Sequence, residues 1–596
     1  MREFSVPALV DVPTTGNLTD LIHHNAAAEP QRVALSRRMP NGWEDVTTTQ
    51  FLAEVIAAAK GLIAAGIQTG DRVALMSSTR YEWTLLEFAI WCAGAVTVPI
   101  YPTSSAEQVQ WILSDSRTAA CIVETAEHQA VVTEVGAKAQ QLTQVWRITE
   151  GAINTLRETG AAVPDAEVTA RRAALTPHSL ATIIYTSGTT GQPKGCELTH
   201  GNFLIKLSNA VRLLDELFAP PNASSLIFVP MAHVIARFIQ IGCIMSRARI
   251  GHTDITRLTE DLAAFQPTFV VSVPRVFEKV YHAASQKAHA EGKGKIFDAA
   301  TGTAIAYSES LDTGGPGLAL TLKHAVFDKL IYARLRAVFG GEIRYAISGG
   351  APLGVELGHF FRGIGLTILE GYGLTETTGG STVNSPGAMK IGTVGTPLPG
   401  VSVKIANDGE ILLKGGNVFR GYWHAQKATD AAFSRGWFCT GDIGELDAEG
   451  YLTITGRKKE LIVTAAGKNV APAVIEDRIR AHPLVSQCMV VGDRKPYVAC
   501  LVTIDAETFP DWKIRHGKPD EARVADLVAD PDLIATVQEA VDEGNKAVSK
   551  AEAVKKFRIL ATDFTEADGQ LTPTLKPKRH MILREFASEI EALYAT

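Results

Sequence analysis

Cysteine is sparse and unpaired in this sequence. Cys92, Cys121, Cys196, Cys243, Cys439, Cys488 and Cys500 are spread over 596 residues without one Cys-x-x-Cys pair. That spacing argues against a zinc site and against a disulfide framework, and predicts reduced, mostly buried thiols. Positive charge is also short: 58 Lys and Arg face 64 Asp and Glu, a formal net charge of −6. The broad field with which a nucleic-acid binder holds phosphates is missing, so neither DNA nor RNA is an expected partner. No apolar run is long enough for a bilayer. The strongest candidate, Trp83 to Ile100, is interrupted by Glu87, and Gly94 and Pro99 divide it into a helix and a strand. The start, Met1 to Pro7, has no basic region followed by an apolar stretch, and a cytoplasmic protein is therefore expected. There is no internal repeat and no low-complexity tract.

What is present is ample material for a core. With 46% hydrophobic and 20% charged residues over this length, more than one soluble domain is expected. Helical periodicity alternates with short β-branched runs: 51–65, 82–93 and 108–113 read as helical, and 72–76, 96–100 and 119–123 as extended. Such alternation indicates an α/β fold, with parallel sheet covered by helices. Further runs at 269–273, 343–348 and 366–369 lead into Gly- or Pro-containing turns, the carboxyl ends at which ligands bind in open α/β sheets. Residues 284–340 read as largely helical, broken at Gly314-Gly315-Pro316-Gly317. Their second half sets Lys323, Lys329, Arg334 and Arg336 among Val326, Phe327, Leu330, Ile331 and Leu335. A membrane-surface face fits this pattern, but the expectation is an ordinary amphipathic helix packed on the domain. After Gly400 the texture changes to short strands, with hairpin connections expected at 407–410 and 447–450, and a smaller α+β unit from about Arg457.

The sharpest local signal is Ile184-Tyr185-Thr186-Ser187-Gly188-Thr189-Thr190-Gly191-Gln192-Pro193-Lys194-Gly195, an apolar strand running into hydroxyls, glycines and one lysine. Backbone N–H groups, hydroxyl donors and an ammonium suit a polyphosphate. It is not a Walker A loop, because Lys194 stands between Pro193 and Gly195 instead of in Gly-Lys-Ser/Thr. A flexible linker would not require so ordered a string.

This string resembles the signature of the adenylate-forming superfamily, which includes acyl-CoA synthetases, luciferases and the adenylation domains of peptide synthetases. The likeness continues along most of the chain. Ser348-Gly349-Gly350-Ala351-Pro352 is similar to the family's adenine-side loop, and Glu370-Gly371-Tyr372-Gly373-Leu374-Thr375-Glu376 to its second nucleotide motif. The resemblance implies that Thr186, Ser187, Gly188, Thr189, Thr190, Gly191 and Lys194 surround the ATP phosphates. It also implies that Thr375 bonds a phosphate, that Tyr372 packs on adenine, and that Glu376 offers a hard oxygen to Mg²⁺. The stretch from Arg435-Gly436-Trp437 to Gly456-Arg457-Lys458-Lys459 resembles the signature segment of fatty acyl-CoA synthetases. There Asp442 corresponds to the ribose ligand, Arg457 to a phosphate contact and Lys459 to the hinge.

Near the end, Leu571-Thr572-Pro573-Thr574-Leu575-Lys576-Pro577-Lys578-Arg579 resembles the loop bearing the adenylation lysine, matched by Lys576; Leu575 stands where many relatives have glycine, and Lys578 is a second candidate. Phe228-Val229-Pro230-Met231-Ala232-His233-Val234 is similar to the motif on the acyl and thioester side, where His233 is expected chiefly to shape the pocket. Val271 to Glu278 is similar to a stretch of long-chain members, and Gly467 corresponds to the face admitting the pantetheine arm. The implied fold is a large N-terminal α/β domain over 1–456, a hinge at 457–459, and a smaller, mobile α+β domain over 460–596. The implied reaction converts a long-chain fatty acid, ATP and coenzyme A, with Mg²⁺, through an acyl-adenylate. Transfer to a carrier protein and a non-catalytic homologue remain open at this stage, as does weak peripheral attachment at the inner face of a membrane.

Overall fold

The alternation read between residues 51 and 123 becomes, in a computed structural model of the chain, a parallel sheet with helices between its strands. The structure describes residues 1–11, 13–136, 138–186, 192–465, 468–572 and 576–595, with the side chain of Asn469 left aside. Among them this first sheet has seven strands. In spatial order they are Gly421–Tyr422, Lys194–Thr199, Leu180–Thr186, Val96–Ile100, Arg72–Met76, Thr118–Val123 and Gln144–Arg147. Only Lys194–Thr199 and Gly421–Tyr422 run against their neighbours. A second sheet of nine strands has a parallel centre of Ser224–Ile227, Phe269–Ser272, Tyr345–Ser348 and Thr367–Leu374. Residues 349–353 leave its carboxyl edge as a turn, and Thr367–Leu374 continues past that edge into an antiparallel pairing with Gly379–Val383.

Helix Tyr81–Cys92 belongs to the core that the two sheets share, and every residue of it except Glu82 is buried. A helix enclosed on nearly all sides needs no broad polar face, which is why its sequence is largely apolar all round. Glu87, the one break in the run, is fully buried and paired with Arg237 of helix Val234–Ser246, also fully buried. Gln240 Nε2 donates to the other oxygen of Glu87 at 2.7 Å. A charge that makes a bilayer span costly is here paired inside the core.

Five strands from the segment after Gly400, joined at one edge by the N-terminal strand Glu3–Ser5, form a third, six-stranded sheet, and both expected hairpins are present, joining Val401–Ile405 to Glu410–Gly415 and Trp437–Leu446 to Leu452–Arg457. Beyond it a three-stranded sheet, Val485–Val491, Val498–Ile504 and Val554–Ile559, carries separate apolar clusters on its two faces. The architecture is thus a large N-terminal α/β domain followed by a smaller α+β unit. Among the described residues two ion pairs cross between them: Arg275 to Asp505 at 2.8 Å and Lys279 to Glu507 at 2.7 Å.

The helical segment departs from its expected form. Helix Leu318–Phe327 has no fully buried side chain: it half-buries one face, through His324 and Phe327, and leaves an apolar stripe on the other, where an ordinary amphipathic helix would be polar. Among the apolar residues read there, Leu335 is buried and Phe327 and Ile331 pack against the core, while Val326 and Leu330 point outward. The segment is apolar on two faces, and only one of them is covered.

Candidate active site

The hairpin of the first sheet sets Thr186 opposite Lys194 in register. Its stem is fixed from several directions: Trp111 Nε1 donates to the Pro193 carbonyl at 2.8 Å, Tyr185 Oη to Asp115 Oδ2 at 2.6 Å, and Trp423 N–H to the Gly195 carbonyl at 2.7 Å. Ser187, Gly188, Thr189, Thr190 and Gly191 lie outside the described residues. Lys194 Nζ stands 5.2 Å from the centre of the Tyr422 ring, and Tyr422 Oη donates to Glu376 Oε1 at 2.9 Å. One tyrosine therefore joins the cation of the hairpin to the acid of the second motif.

That motif needs glycine for steric reasons. A Cβ on Gly373 would lie 1.9 Å from the Gly379 carbonyl oxygen, so the backbone itself occupies the space. Glu376 sits in the short turn Thr375–Thr377, followed by Thr378 at φ +58°, a conformation a β-branched residue seldom adopts. Lys206 Nζ holds the strained turn by donating to the carbonyls of Thr377 at 2.8 Å and Thr378 at 3.0 Å, and Thr378 Oγ1 donates to the Asn417 carbonyl at 2.7 Å. Lys206 is buried, and that burial depresses its pKa far below that of a free lysine.

Gly349, Gly350, Ala351 and Pro352 form the turn after Tyr345–Ser348. Glu370 secures this turn by accepting from the Leu353 N–H at 2.9 Å. Glu370 is only 7% exposed, and burial pushes its carboxyl up to about 7 against the weaker pull of the N–H groups of Leu353 and Gly392. Gly371 follows it on the strand. Tyr372, packed in the apolar cluster of the third sheet, donates its hydroxyl to Asp442 Oδ2 at 2.7 Å. Asp442 is directly opposite Arg457 across the hairpin, and Arg457 Nε lies 3.0 Å from its Oδ1.

From the C-terminal side, Lys576 comes close to this group. Its N–H donates to Thr572 Oγ1 at 3.0 Å, and its carbonyl accepts from the Thr572 N–H at 2.8 Å. Water reaches the residue, yet protein surrounds its ammonium on most sides. That enclosure, together with the Arg457 guanidinium, lowers its pKa, while Asp442 and Glu460 oppose the shift. His233 feels Lys576 as well: burial first, then the nearby ammonium, hold its imidazole at about 4. His233 Nδ1 accepts from the Ile235 N–H at 3.2 Å, so the neutral ring carries its proton on Nε2. It is a weak base at neutral pH and caps helix Val234–Ser246. Lys458 is anchored to Asp408 at 2.6 Å and Glu410 at 2.8 Å, whereas Lys459, one residue on, is exposed in the turn. Lys578 donates its N–H to the Gln570 carbonyl at 2.7 Å and precedes helix Arg579–Glu585. Gly467 lies outside the described residues.

Lys194, His233, Glu376, Asp442, Arg457 and Lys576 border one cleft of about 3270 Å³, several times a small-molecule pocket, whose apolar lining includes Ile235, Ile239, Val276, Ile305, Leu357 and Phe360. The apolar lining suits an alkyl or aryl group, and the cationic and hydroxyl groups suit phosphates. No cluster of three or more His, Cys, Asp or Glu side chains able to hold a metal unaided occurs among the described residues. A lone carboxylate such as Glu376 fits Mg²⁺, which usually takes its other ligands from phosphates and water.

The family model for AMP-binding enzymes matches residues 22–423, and that for the AMP-binding enzyme C-terminal domain matches residues 459–596. The chain belongs to the AMP-binding enzyme family. The long-chain-fatty-acid–CoA ligase FadD15 of Mycobacterium bovis is 53% identical over 598 aligned positions, covering all of both chains. The human long-chain-fatty-acid–CoA ligase ACSBG1 is 28% identical over 94% of this chain and 83% of its own. In fold, the anthranilate CoA ligase AuaEII in complex with anthranoyl-AMP superposes with a TM-score of 0.73 at 19% identity, covering 98% of this chain and 99% of its own.

In this AMP-binding enzyme two residues beside the motifs escaped the sequence reading. Tyr422 lies outside every quoted string, and no local pattern marks it. Lys206 did leave a sign: it is three residues after Phe203 and four before Ala210, hence on the buried stripe of helix His200–Leu213, where a lysine is out of place.

Proposed function

We propose that this AMP-binding enzyme joins a long-chain fatty acid to coenzyme A through an acyl-adenylate, releasing pyrophosphate and AMP. The observation that carries the reading is the meeting of cationic, acidic and apolar walls in one cleft, in a chain alike from end to end to a long-chain-fatty-acid–CoA ligase.

In the first step a carboxylate oxygen attacks the α-phosphorus of ATP, and the bond from that phosphorus to pyrophosphate breaks. Both reactants are negative, and their approach in a site of lowered dielectric demands cations. Lys576 is proposed to stand between carboxylate and α-phosphate, with Arg457 beside it and Lys194 on the departing pyrophosphate. Mg²⁺, when bound by Glu376 and phosphate oxygens, supplies further neutralisation of the polyphosphate. Asp442 would accept from the ribose hydroxyls, Tyr372 would pack on adenine, and the turn at 349–353, tied down by Glu370, would border the base. In the second step the thiolate of coenzyme A attacks the acyl carbon, the bond to the AMP oxygen breaks, and AMP leaves. The apolar wall would take the chain, each buried CH₂ contributing about 0.8 kcal/mol.

The adenylate is prone to hydrolysis, so water has to be excluded between the steps. The proposed device is rotation of residues 460–596 about the hinge 457–459. It first presents Lys576 and then the face near Gly467 to the N-terminal domain of residues 1–456. Anchored Lys458 followed by exposed Lys459 supports a pivot at that point. ATP and coenzyme A are cytoplasmic metabolites, and the proposed compartment is the cytoplasm.

The test is to incubate purified protein with ATP, Mg²⁺, coenzyme A and saturated acids from short to long, and to identify products by mass spectrometry. Long-chain acyl-CoA with AMP and pyrophosphate is expected. Acyl-AMP without thioester would replace this reading with carrier loading, and ADP in place of AMP would overturn it.

A further inference from the structure

Helix Leu318–Phe327 and the π-helical turn Asp328–Tyr332 after it have one satisfied face. His324 stacks on Tyr307 with ring centres 3.9 Å apart and its Nε2 meets the Gly363 carbonyl at 2.6 Å, while Tyr332 is buried and donates to the Ala300 carbonyl at 2.7 Å. The other face is bare. Leu318 is 78% exposed, Leu322 61%, Val326 57% and Leu330 53%. Four-residue spacing puts them in one stripe along the segment, and the wider π turn reduces the drift that such spacing has in an α-helix. Single exposed leucines are ordinary, but four in a row form a contiguous patch of the kind that marks an interaction surface.

Its charge indicates what it meets. Lys323, Lys329 and Arg334 are exposed beside the stripe. From Thr313 to Gly341 there are four basic residues, Lys323, Lys329, Arg334 and Arg336, and one acid, Asp328, so the stretch carries +3 (four minus one) in a chain of net −6. Asp328 is already paired with Arg336 at 2.6 Å. Apolar side chains flanked by long cationic ones match the acyl layer of a bilayer bounded by anionic headgroups. A second copy of the chain is a poorer match, since a two-fold contact through this face would set like charges against each other.

We propose that this face docks on an anionic lipid bilayer, with Leu318, Leu322, Val326 and Leu330 entering the headgroup boundary and Lys323, Lys329 and Arg334 on lipid phosphates. No helix among the described residues is long and apolar enough to cross a membrane, so the contact is interfacial. The docked segment packs on helix Gly294–Leu311, whose Thr301 and Ile305 line the cleft. The bilayer would lie one helix away from the apolar wall, a short path for an amphiphilic acid. That purpose rests on the proposed substrate, but docking does not: the test reads binding and would succeed with an enzyme of other specificity.

The full-length protein is mixed with vesicles of phosphatidylcholine alone and of phosphatidylcholine with phosphatidylglycerol, and the bound fraction is measured by flotation. Binding to the anionic vesicles is expected, weakened by salt and by roughly tenfold or more in Lys323→Gln/Lys329→Gln, and lost in Leu322→Glu/Val326→Glu. Activity on a short, soluble acid is expected to be unchanged in both variants. In Leu322→Trp, which keeps the face apolar, tryptophan emission is expected to shift to the blue on adding anionic vesicles. Equal flotation of wild type and the glutamate variant, no emission shift from the Leu322→Trp variant, or a dimer in light scattering that the glutamate variant abolishes would each overturn the proposal.

Discussion

Tyr422 stands between the two groups a polyphosphate would meet, with Lys194 over its ring and Glu376 on its hydroxyl. Tyr422→Phe keeps the ring and removes only the bond to the proposed metal ligand. Partners of this kind typically alter metal affinity or activity by about 10–100-fold. The expected result is a higher Mg²⁺ requirement at saturating ATP, with little change in melting temperature; an unaltered Mg²⁺ titration would remove Tyr422 from the site. Glu370 gives a pH signature. Its carboxyl titrates at about 7 in the fold against an ordinary 4.5. Below pH 4.5 both folded and unfolded chains hold the proton. Between 4.5 and 7 the unfolded chain releases it first, so the stability this carboxyl contributes is lost as pH rises through that window. The stability of wild type relative to Glu370→Gln is expected to fall by about 3 kcal/mol across it. Denaturant melts of both proteins at several pH values measure this, and parallel curves would contradict it.

Among the elements, helices Tyr81–Cys92 and Val234–Ser246 are joined by the Glu87–Arg237 pair inside the core. Arg237 Nη1 also donates to Thr182 Oγ1 at 2.8 Å, on the strand that leads to Thr186 and pairs with Lys194–Thr199. Removing one partner strands a charge, so Glu87→Leu is expected to cost about 3–5 kcal/mol in denaturant unfolding. Glu87→Leu with Arg237→Met, which leaves no charge, should recover much of that loss; a double variant as unstable as the single would contradict the account. Glu87 also shows where sequence reading stops. As a break in an apolar run it was visible, but its partner Arg237, far along the chain, is set by how the sheets pack. The hairpin at 180–199, the turn at 349–352 and the strand end at 370–376 stood out as strings in the sequence because hydroxyls, glycines and charges recur there at fixed local spacing. The two faces of Leu318–Phe327 were not, because periodicity cannot tell which of two apolar stripes finds a neighbour. Lys206 and Tyr422 act across the chain, on Thr377 and Glu376, and such pairings leave little local trace.

For the molecule as a whole, Lys576 of the C-terminal unit borders the same cleft as Arg457, Asp442 and His233. The crossing pair Lys279–Glu507 is largely exposed, and such pairs are worth about 0–1 kcal/mol, little hindrance to rotation. Lys576→Ala is expected to slow adenylation by roughly 100-fold or more yet spare thioester formation from supplied acyl-AMP. Lys459→Pro, which stiffens the proposed pivot, should do the reverse. Equal loss of both half-reactions in both variants would sink the separation of roles. The most direct test of the central claim follows the oxygen. A long-chain acid labelled with heavy oxygen in its carboxylate is turned over with ATP, Mg²⁺ and coenzyme A, and the AMP is analysed by mass spectrometry. If the acid is activated as an adenylate, one heavy oxygen passes to the phosphate of AMP; if AMP stays unlabelled while acyl-CoA forms, the acyl-adenylate route is wrong.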